Sequence, residues 1–336
     1  MRAAPFASCV ALVAMLAVSA APSQAELQKI KLTVAARTAA TATYFIAIEK
    51  GYFAEQGLEV ELVDAGGGVA VPALISGSVD FSMSAAVSVG AIMRGAALRI
   101  IYTMADRPPY QLWSTQADLK TLADLKGKQI GIISRGDTFE LAMRMVLRDA
   151  GLPPDFVGFT ALGPGTAPRQ AALMSGSLPS VMLSSGDVLP LRDTPAFAKA
   201  HLIVDMAQAI RMPYTGIVTS ARNVQSDPEL VKRFLRATVR GAAYMRAFRD
   251  QTVDILMHFD PQGDRRAFAG DWDDFVPTLT ADGMAPAELI TKDLAIRAAL
   301  LDVPADKIPP VDKIYDYSAI RAVNAEFAAS GWKPTP

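Results

Sequence analysis

Cysteine is nearly absent from this 336-residue chain, and the single one, Cys9, lies close to the N-terminus. It precedes an apolar stretch instead of following it, so it does not read as a lipid-attachment cysteine. Arg2 supplies a positive start, Val10 to Ala20 an apolar core too short to span a bilayer, and Ser23-Gln24-Ala25 a small-x-small cleavage pattern. Residues 1–25 are therefore expected to be a signal peptide cleaved after Ala25. Its removal leaves a mature chain without cysteine, which excludes a disulfide framework. Export without disulfides suits a periplasmic protein whose core is large enough to hold alone. Histidine is almost as scarce, with His201 opening an apolar run and His258 in a helical pattern. Both read as structural or surface residues, and no Cys/His spacing suggests a metal. No other apolar run reaches about 18 residues, so no transmembrane helix is expected. Charge of either sign is not in excess: 33 Lys and Arg face 34 Asp and Glu, for a net charge of −1. With no basic face evident, nucleic acid is excluded as a partner. No serine sits in a nucleophile elbow, and no cofactor box appears.

What the chain does have is size and an internal echo. Its length allows two domains, and 51% hydrophobic with 20% charged residues is ordinary for a folded protein. Val71 to Ser84 reads as a helix end, a glycine stop at Gly77, and a strand in which Val79, Phe81 and Met83 alternate with Asp80, Ser82 and Ser84. The phrase Ala-Leu-x-Ser-Gly-Ser returns at Ala172 to Ser177, and Met182 falls where Met83 falls. Two helix–turn–strand units far apart predict two similar α/β domains, each with a polar strand end. The cleft between such ends is a natural ligand site.

Taken in order, Lys31 to Ala35 predicts a buried strand, Arg37 to Thr43 a polar loop, and Tyr44 to Glu55 a helix closing at Gly57. Leu58 to Val63 predicts a second strand, ending at Gly66-Gly67-Gly68, whose backbone N–H groups could face a ligand. A helix from Val87 and a strand over Leu98 to Thr103 complete a β-α-β-α-β-α-β run, which calls for a mainly parallel sheet flanked by helices. Asp106-Arg107-Pro108-Pro109 marks a crossing into a second domain, and Met212 to Thr219 the return. The expected division is 26–105 with 215–336 for the first domain and 106–214 for the second. Ser134-Arg135-Gly136-Asp137-Thr138 opens a helix after the strand Gln129 to Ile133. Free N–H groups there attract an anion, and Arg135 adds a forked cation. Asp137 competes for the same N–H groups. Ser184-Ser185-Gly186-Asp187 is a second polar helix entry. Asp271-Trp272-Asp273-Asp274 reads as a solvated acidic turn.

The motif Phe45-x-Ala47-x-Glu49-Lys50-Gly51-Tyr52-Phe53-Ala54-Glu55-Gln56-Gly57-Leu58-Glu59-Val60-Glu61-Leu62 resembles the opening of nitrate/sulfonate/taurine-type substrate-binding proteins of ABC transporters. That group includes thiamine-pyrimidine-synthase-like proteins. Ala73-Leu74-x-Ser76-Gly77-Ser78-Val79-Asp80, Asp124-Leu125-Lys126-Gly127-Lys128, Thr215-Gly216-Ile217-Val218 and Asp227-Pro228-Glu229-Leu230-Val231 match it too, in order along nearly the whole mature chain. The resemblance implies a monomeric periplasmic binding protein of the type with two crossing segments. It would capture a small ligand by hinge closure and dock on membrane permease subunits. It further implies that the cleft is lined by Arg37, Thr38, Thr41, Thr43 and Tyr44, by Gly66 and Gly67, and by Ser82, Ser84 and Ala85. From the second domain come Ser134 to Thr138 and Ser184, Ser185 and Asp187, with Tyr214 and Thr215 at the hinge. One departure stands out: Pro179 occupies the place of Asp80, where the family often keeps an acid. The synthases need a cysteine cluster, which the mature chain lacks, so the expectation is a binder and not an enzyme, with no cofactor. An anionic ligand, sulfonate or carboxylate, is expected through Arg135. A neutral pyrimidine or aromatic ligand, or a sensor partnered with a receptor kinase, are the alternatives.

Overall fold

The computed structural model describes residues 26–35, 37–163 and 165–336. The expected signal peptide, with Cys9, lies outside the described residues. The chain opens with β1 (Gln28–Val34), α1 (Ala39–Glu49), the single turn α2 (Tyr52–Glu55) and β2 (Leu58–Asp64). Then come α3 (Gly67–Ser76), β3 (Phe81–Ser82), α4 (Ala85–Met93) and β4 (Leu98–Ala105). After residues 106–109 the chain enters β5 (Tyr110–Ser114), β6 (Gln129–Ile132), α5 (Thr138–Asp149) and β7 (Gly158–Ala161). α6 (Ala167–Ser175), β8 (Ser180–Ser184), α7 (Ser185–Val188), β9 (His201–Asp205) and α8 (Met206–Ala209) follow. β10 (Thr215–Ser220) returns, succeeded by α9 (Ala221–Ser226), α10 (Pro228–Ala247), α11 (Arg249–Phe259) and α12 (Arg265–Phe275). The chain ends in α13 (Ala287–Leu300), the turn α14 (Val311–Ile314) and α15 (Ser318–Ser330).

These elements build an α/β architecture with two five-stranded mixed sheets, β2-β1-β3-β10-β4 and β7-β6-β8-β5-β9. In each, three neighbouring strands run parallel and the fourth is antiparallel to both of its neighbours. That fourth strand is the one arriving from the other sheet: β10 in the first and β5 in the second. A mainly parallel sheet was expected for the first domain, with no place in it assigned to the return crossing. The return crossing inserts β10 between β3 and β4. The insertion needs Gly216, where a Cβ would sit 2.0 Å from the Tyr102 carbonyl oxygen. The two sheets with their helices are called lobe I and lobe II below.

The large core joins Ile30, Leu32, Phe45, Phe81 and Phe234 in lobe I, and a second core joins Leu112, Ile130, Met143 and Met182 in lobe II. The repeated phrase is structural. The units α3–β3 and α6–β8 end their helices at left-handed Gly77 and Gly176, with φ of 76° and 67°, and deliver the third strand of each sheet. α13 packs both ways, because its Ile296 and Leu300 belong to the lobe II core.

Two expectations fail locally. Residues 39–43 form helix, not loop. Thr38 and Thr41 make a capping box in which the Thr38 N–H donates to Thr41 Oγ1 at 2.9 Å, and α10 and α11 cover the helix. The acidic turn at 271–274 lies inside α12. Asp264 caps that helix, and Phe268, Trp272 and Phe275 space its apolar side, with Trp272 Nε1 donating to the Met245 carbonyl at 2.9 Å.

Candidate functional site

The C-terminal ends of β1 and β3 face lobe II across a cavity of about 210 Å³. β1 and the residue after it place Thr33 and Ala35 there, and the end of β3 and the segment after it place Ser82, Met83 and Ser84, followed by Ala86 and Val87 of α4. Lobe II supplies Tyr110, the first residue of β5, and Thr138, the first of α5, while Tyr214 closes the hinge side. A chain of hydroxyls runs along the lobe I wall. Thr33 Oγ1 donates to Ser82 Oγ at 2.5 Å, Ser82 Oγ and Ser84 Oγ share a bond of 2.7 Å, and Ser84 Oγ and Ser88 Oγ one of 3.2 Å. Opposite, the Tyr110 phenol and Thr138 Oγ1 share a bond of 2.6 Å, and the rings of Tyr110 and Tyr214 meet edge-on at 5.2 Å. Burial pushes the Tyr110 phenol well above its ordinary pKa and Tyr214 to about 12, so both stay neutral. No side chain bounding this cavity carries a charge.

The helix N-termini around the cleft differ in what they leave free. At α5, Asp137 Oδ2 accepts from Ile133 N–H and Ser134 N–H, its Oδ1 from Glu140 N–H, and Glu140 Oε2 accepts from Gly136 N–H. Burial raises the Asp137 pKa against those backbone donors. The competition expected from Asp137 is present, and Glu140 joins it: the two carboxylates occupy the Glu140 N–H of the helix and three N–H groups of the loop before it. Arg135 leans on Glu140 at 3.3 Å and over the Phe159 ring, with its side chain 57% exposed. At α7, Ser184 and Asp187 form a capping box, and Asp187 also takes Arg169 at 2.9 Å and Thr166 at 2.7 Å. At α1, Asp271 reaches in from α12, 232 positions along the chain, and accepts the Ala39 N–H at 2.6 Å. Burial, together with Asp274 and Asp187, pushes the Asp271 pKa up to about 6, while the Ala39 N–H pulls it down. In contrast, α3 and α4 have no side-chain cap bond and no acid in their first turns.

Of the residues expected in the cleft, Ser82, Ser84, Thr138 and Tyr214 meet at this cavity, and Ala85 and Thr215 lie just behind it against Tyr315. Thr43 and Tyr44 do not belong. Both are fully buried on α1, Thr43 against Met245 and Tyr44 stacked on Phe234 with a centroid distance of 6.3 Å. Arg37 turns outward to Asp64 at 2.9–3.0 Å and to the Phe259 carbonyl. Thr38 and Thr41 cap α1, and Gly66 and Gly67 open α3 beside Ala65. Ser185 lines a different space. Thr33 and Tyr110 were missed. Thr33 is a polar residue between Leu32 and Val34 in the buried half of β1, and Tyr110 follows directly on the Pro108-Pro109 crossing; those were the available signals. Among the described residues, no group of three or more His, Cys, Asp or Glu side chains could hold a metal.

A family model described as NMT1/THI5-like matches residues 38–251, more than half of the chain. The chain belongs to the NMT1/THI5-like family. It is 26% identical over 232 residues to the riboflavin-binding protein RibY of Chloroflexus aurantiacus, covering 66% of this chain and 63% of that one. It is 24% identical over 221 residues to the 4-amino-5-hydroxymethyl-2-methylpyrimidine phosphate synthase of Legionella pneumophila, covering 65% of this chain and 69% of that one. The match to RibY thus spans less than two thirds of the relative's own length. The structure superposes on the periplasmic sulfonate-binding protein SsuA of Methylobacillus flagellatus KT with a TM-score of 0.72 at 18% identity, covering 92% and 98% of the two chains. The fold is that of the periplasmic binding proteins.

Proposed function

We propose that this protein is the periplasmic solute-binding component of an ABC importer and takes a small neutral, planar heteroaromatic compound. The two domains would be 26–105 with 215–336, and 106–214. One observation carries the ligand class. The interlobe cavity is lined by hydroxyls, phenols and small apolar groups, and the chain's own carboxylates stand at the N-termini of α1, α5 and α7, so the N–H donors left at the starts of α3 and α4 face the cavity without a cationic side chain beside them. An anion brought to the starts of α1, α5 or α7 would meet Asp271, Glu140 or Asp187. This reading departs from the anionic ligand expected through Arg135. The serine hydroxyls at the end of β3 both give and accept hydrogen bonds, which suits ring nitrogens and carbonyls. Tyr110 and Tyr214 offer ring surface. The relative named for riboflavin, itself a flat heteroaromatic, supports the same class.

Binding would proceed by hinge closure. Ser82 and Ser84 stand on lobe I, Tyr110 and Thr138 on lobe II, so a ligand touching both favours the closed arrangement. The closed form would then engage the permease subunits. Calorimetric titration of the purified protein with flavins and pyrimidines, against alkylsulfonates, nitrate and aromatic carboxylates, tests the reading. Saturable binding of a neutral heteroaromatic, without turnover, supports it. Binding of sulfonate or nitrate alone would overturn the ligand class, and conversion of a bound pyrimidine would overturn the assignment as a binder.

A further inference from the structure

The hydroxyl chain on the lobe I wall has a direction, and its donors and acceptors fix what it offers a ligand. A serine hydroxyl has one proton to give and two lone pairs with which to accept. Ser82 Oγ accepts from Thr33 Oγ1 at 2.5 Å and from the Ser84 N–H at 3.1 Å, so both of its lone pairs are taken. Its own proton then goes to Ser84 Oγ, 2.7 Å away. Thr33, Ser82 and Ser84 therefore run head to tail, each hydroxyl giving to the next.

Ser88 decides what Ser84 does with its remaining capacity. It lies one turn into α4, is fully buried, and does not border the cavity. Among the described residues its Oγ has a single hydrogen-bond partner, Ser84 Oγ at 3.2 Å. Other helical hydroxyls, such as those of Thr238 and Thr252, give their protons to the carbonyl four residues back, at 2.9 and 2.6 Å. Ser88 makes no such bond. If Ser84 gave its proton to Ser88, the Ser88 proton would be buried without an acceptor, which costs more than the bond returns. The arrangement that satisfies every group has Ser88 giving to Ser84. Ser84 Oγ then accepts twice, from Ser82 and from Ser88, and its own proton is left for the cavity that Ser84 borders.

We propose that Ser88 is a positioning residue that makes Ser84 a donor toward the cavity, so that the site selects rings presenting a carbonyl oxygen or an unprotonated ring nitrogen there over rings presenting an N–H. This deepens the heteroaromatic reading and rests on it for the kind of ligand. Two features strengthen the selection. A hydroxyl that already accepts from two others is a better donor, because bonds in a chain polarise one another. The start of α4, with no side-chain cap bond and no acid in its first turn, adds backbone donors on the same wall. A ring N–H brought there would meet donors and leave the Ser84 proton unpaired.

Two measurements test this. Neutron diffraction from crystals of the protein grown in heavy water without added ligand reads the deuterium positions directly. The expected map has the Ser82 and Ser88 deuterons both pointing at Ser84 Oγ, and the Ser84 deuteron pointing into the cavity. A Ser84 deuteron on the line to Ser88 would overturn the proposal. The second measurement is calorimetric titration with quinoline, a flat ring system with one acceptor nitrogen, and indole, one of similar size with one N–H donor. Quinoline should bind about tenfold more tightly, the scale of a made against an unmade hydrogen bond. Ser88→Ala removes no group from the cavity wall but opens a lone pair on Ser84, which can then give or accept. It should bring the ratio to about twofold or less while the melt stays within a few degrees. A residue that only packs would leave the ratio alone. Indole binding as tightly as quinoline, or a ratio unmoved by Ser88→Ala, would also overturn the proposal. Binding of neither ring would count against the heteroaromatic reading itself, and the deuterium positions would then judge the polarity alone.

Discussion

The two lobes share a plan and differ in how they finish it. Both sheets follow the same strand order, and both accept one antiparallel strand from the other side. Even the fastening of that strand repeats. Thr219 Oγ1 on β10 donates to the Asp80 carbonyl at 2.7 Å, and Ser114 Oγ on β5 donates to the Pro179 carbonyl at 2.6 Å. Asp80 and Pro179 hold the same place in the two echoed units, so the substitution of Asp80 by proline costs lobe II nothing here: the contact uses a backbone oxygen. The difference lies at the ligand-facing ends. Lobe I leaves a chain of serine and threonine hydroxyls and the uncapped starts of α3 and α4, while lobe II leaves α6 uncapped but spends the starts of α5 and α7 on Asp137, Glu140 and Asp187. A shared fold therefore does not mean a shared share in recognition. The hydrogen-bonding capacity still open to a ligand is concentrated in lobe I.

The largest expected effect tests the shared plan itself. Gly216→Ala drives a Cβ into the Tyr102 carbonyl oxygen, with no flexible side chain to yield, and should cost about 3 kcal/mol or more of unfolding free energy. β5, the matching strand of lobe II, contains no glycine, and Gln111→Ala at its exposed-side face should cost under about 1 kcal/mol. Urea melts of both variants check this; equal losses would mean the two crossing strands are held alike. Next comes Ser84→Leu, which puts an isobutyl group among the hydroxyls of the interlobe cavity. It should weaken the cavity ligand about 100-fold, equivalent to about 2.7 kcal/mol, while leaving the melt within a few degrees. An unchanged dissociation constant would show that the cavity is not where the ligand sits.

Much of this plan was legible in the sequence, and the reason is local chemistry. Gly77 and Gly176 end helices in the left-handed backbone region that residues with a side chain avoid, and the alternation of Phe81 with Ser82 marks a strand with a polar end. Pro108 and Pro109 mark a crossing for a different reason, because a ring-locked residue without an N–H interrupts regular structure. What stayed hidden were partnerships made by folding. Nothing near Ala39 announces that Asp271 will take its N–H, and nothing near Asp271 announces that Phe268, Trp272 and Phe275 will hold it in a helix against lobe I. Thr41 and Thr43 looked like loop polars because the start of α1 is rich in threonine, a residue whose helix signal is weak.

Asp271 gives the third prediction. Its pKa of about 6 lies above the unfolded value of about 3.9, so the folded chain holds a proton that the unfolded chain has lost between those pH values. Stability from this group is thus present at low pH and declines as pH rises through that window, levelling out above about 6. Asp271→Asn can still accept the Ala39 N–H through Oδ1 but carries no charge. It should raise stability at pH 7 by about 1–2 kcal/mol and flatten the slope between pH 4 and 6. Parallel slopes in the two proteins would mean that the carboxylate is not desolvated at the junction of α1 and α12.

The smallest effect sharpens the comparison most. Arg135 stands at the start of α5, where a free guanidinium beside open N–H groups would make lobe II an anion-binding partner equal to lobe I. The N–H groups of Ile133, Ser134, Gly136 and Glu140 are all taken, and Arg135 itself is solvated and leans on Glu140, which Arg144 also holds at 2.7 Å. A half-exposed ion pair of this kind contributes little. Arg135→Ala should therefore leave ligand affinity within about twofold and stability within about 0.5 kcal/mol. A loss of about tenfold or more, measured by the same titration, would return lobe II to direct recognition and require Asp137 or Glu140 to swing away when the ligand arrives. Arg144 makes that costly, because it bonds Glu140 Oε1 through both Nε and Nη2 and anchors itself on the Pro154 carbonyl. The carboxylate that blocks the helix start is therefore itself held in place by three well-formed bonds, two from Arg144 and one from the Gly136 N–H, and lobe II is built to keep its own anion.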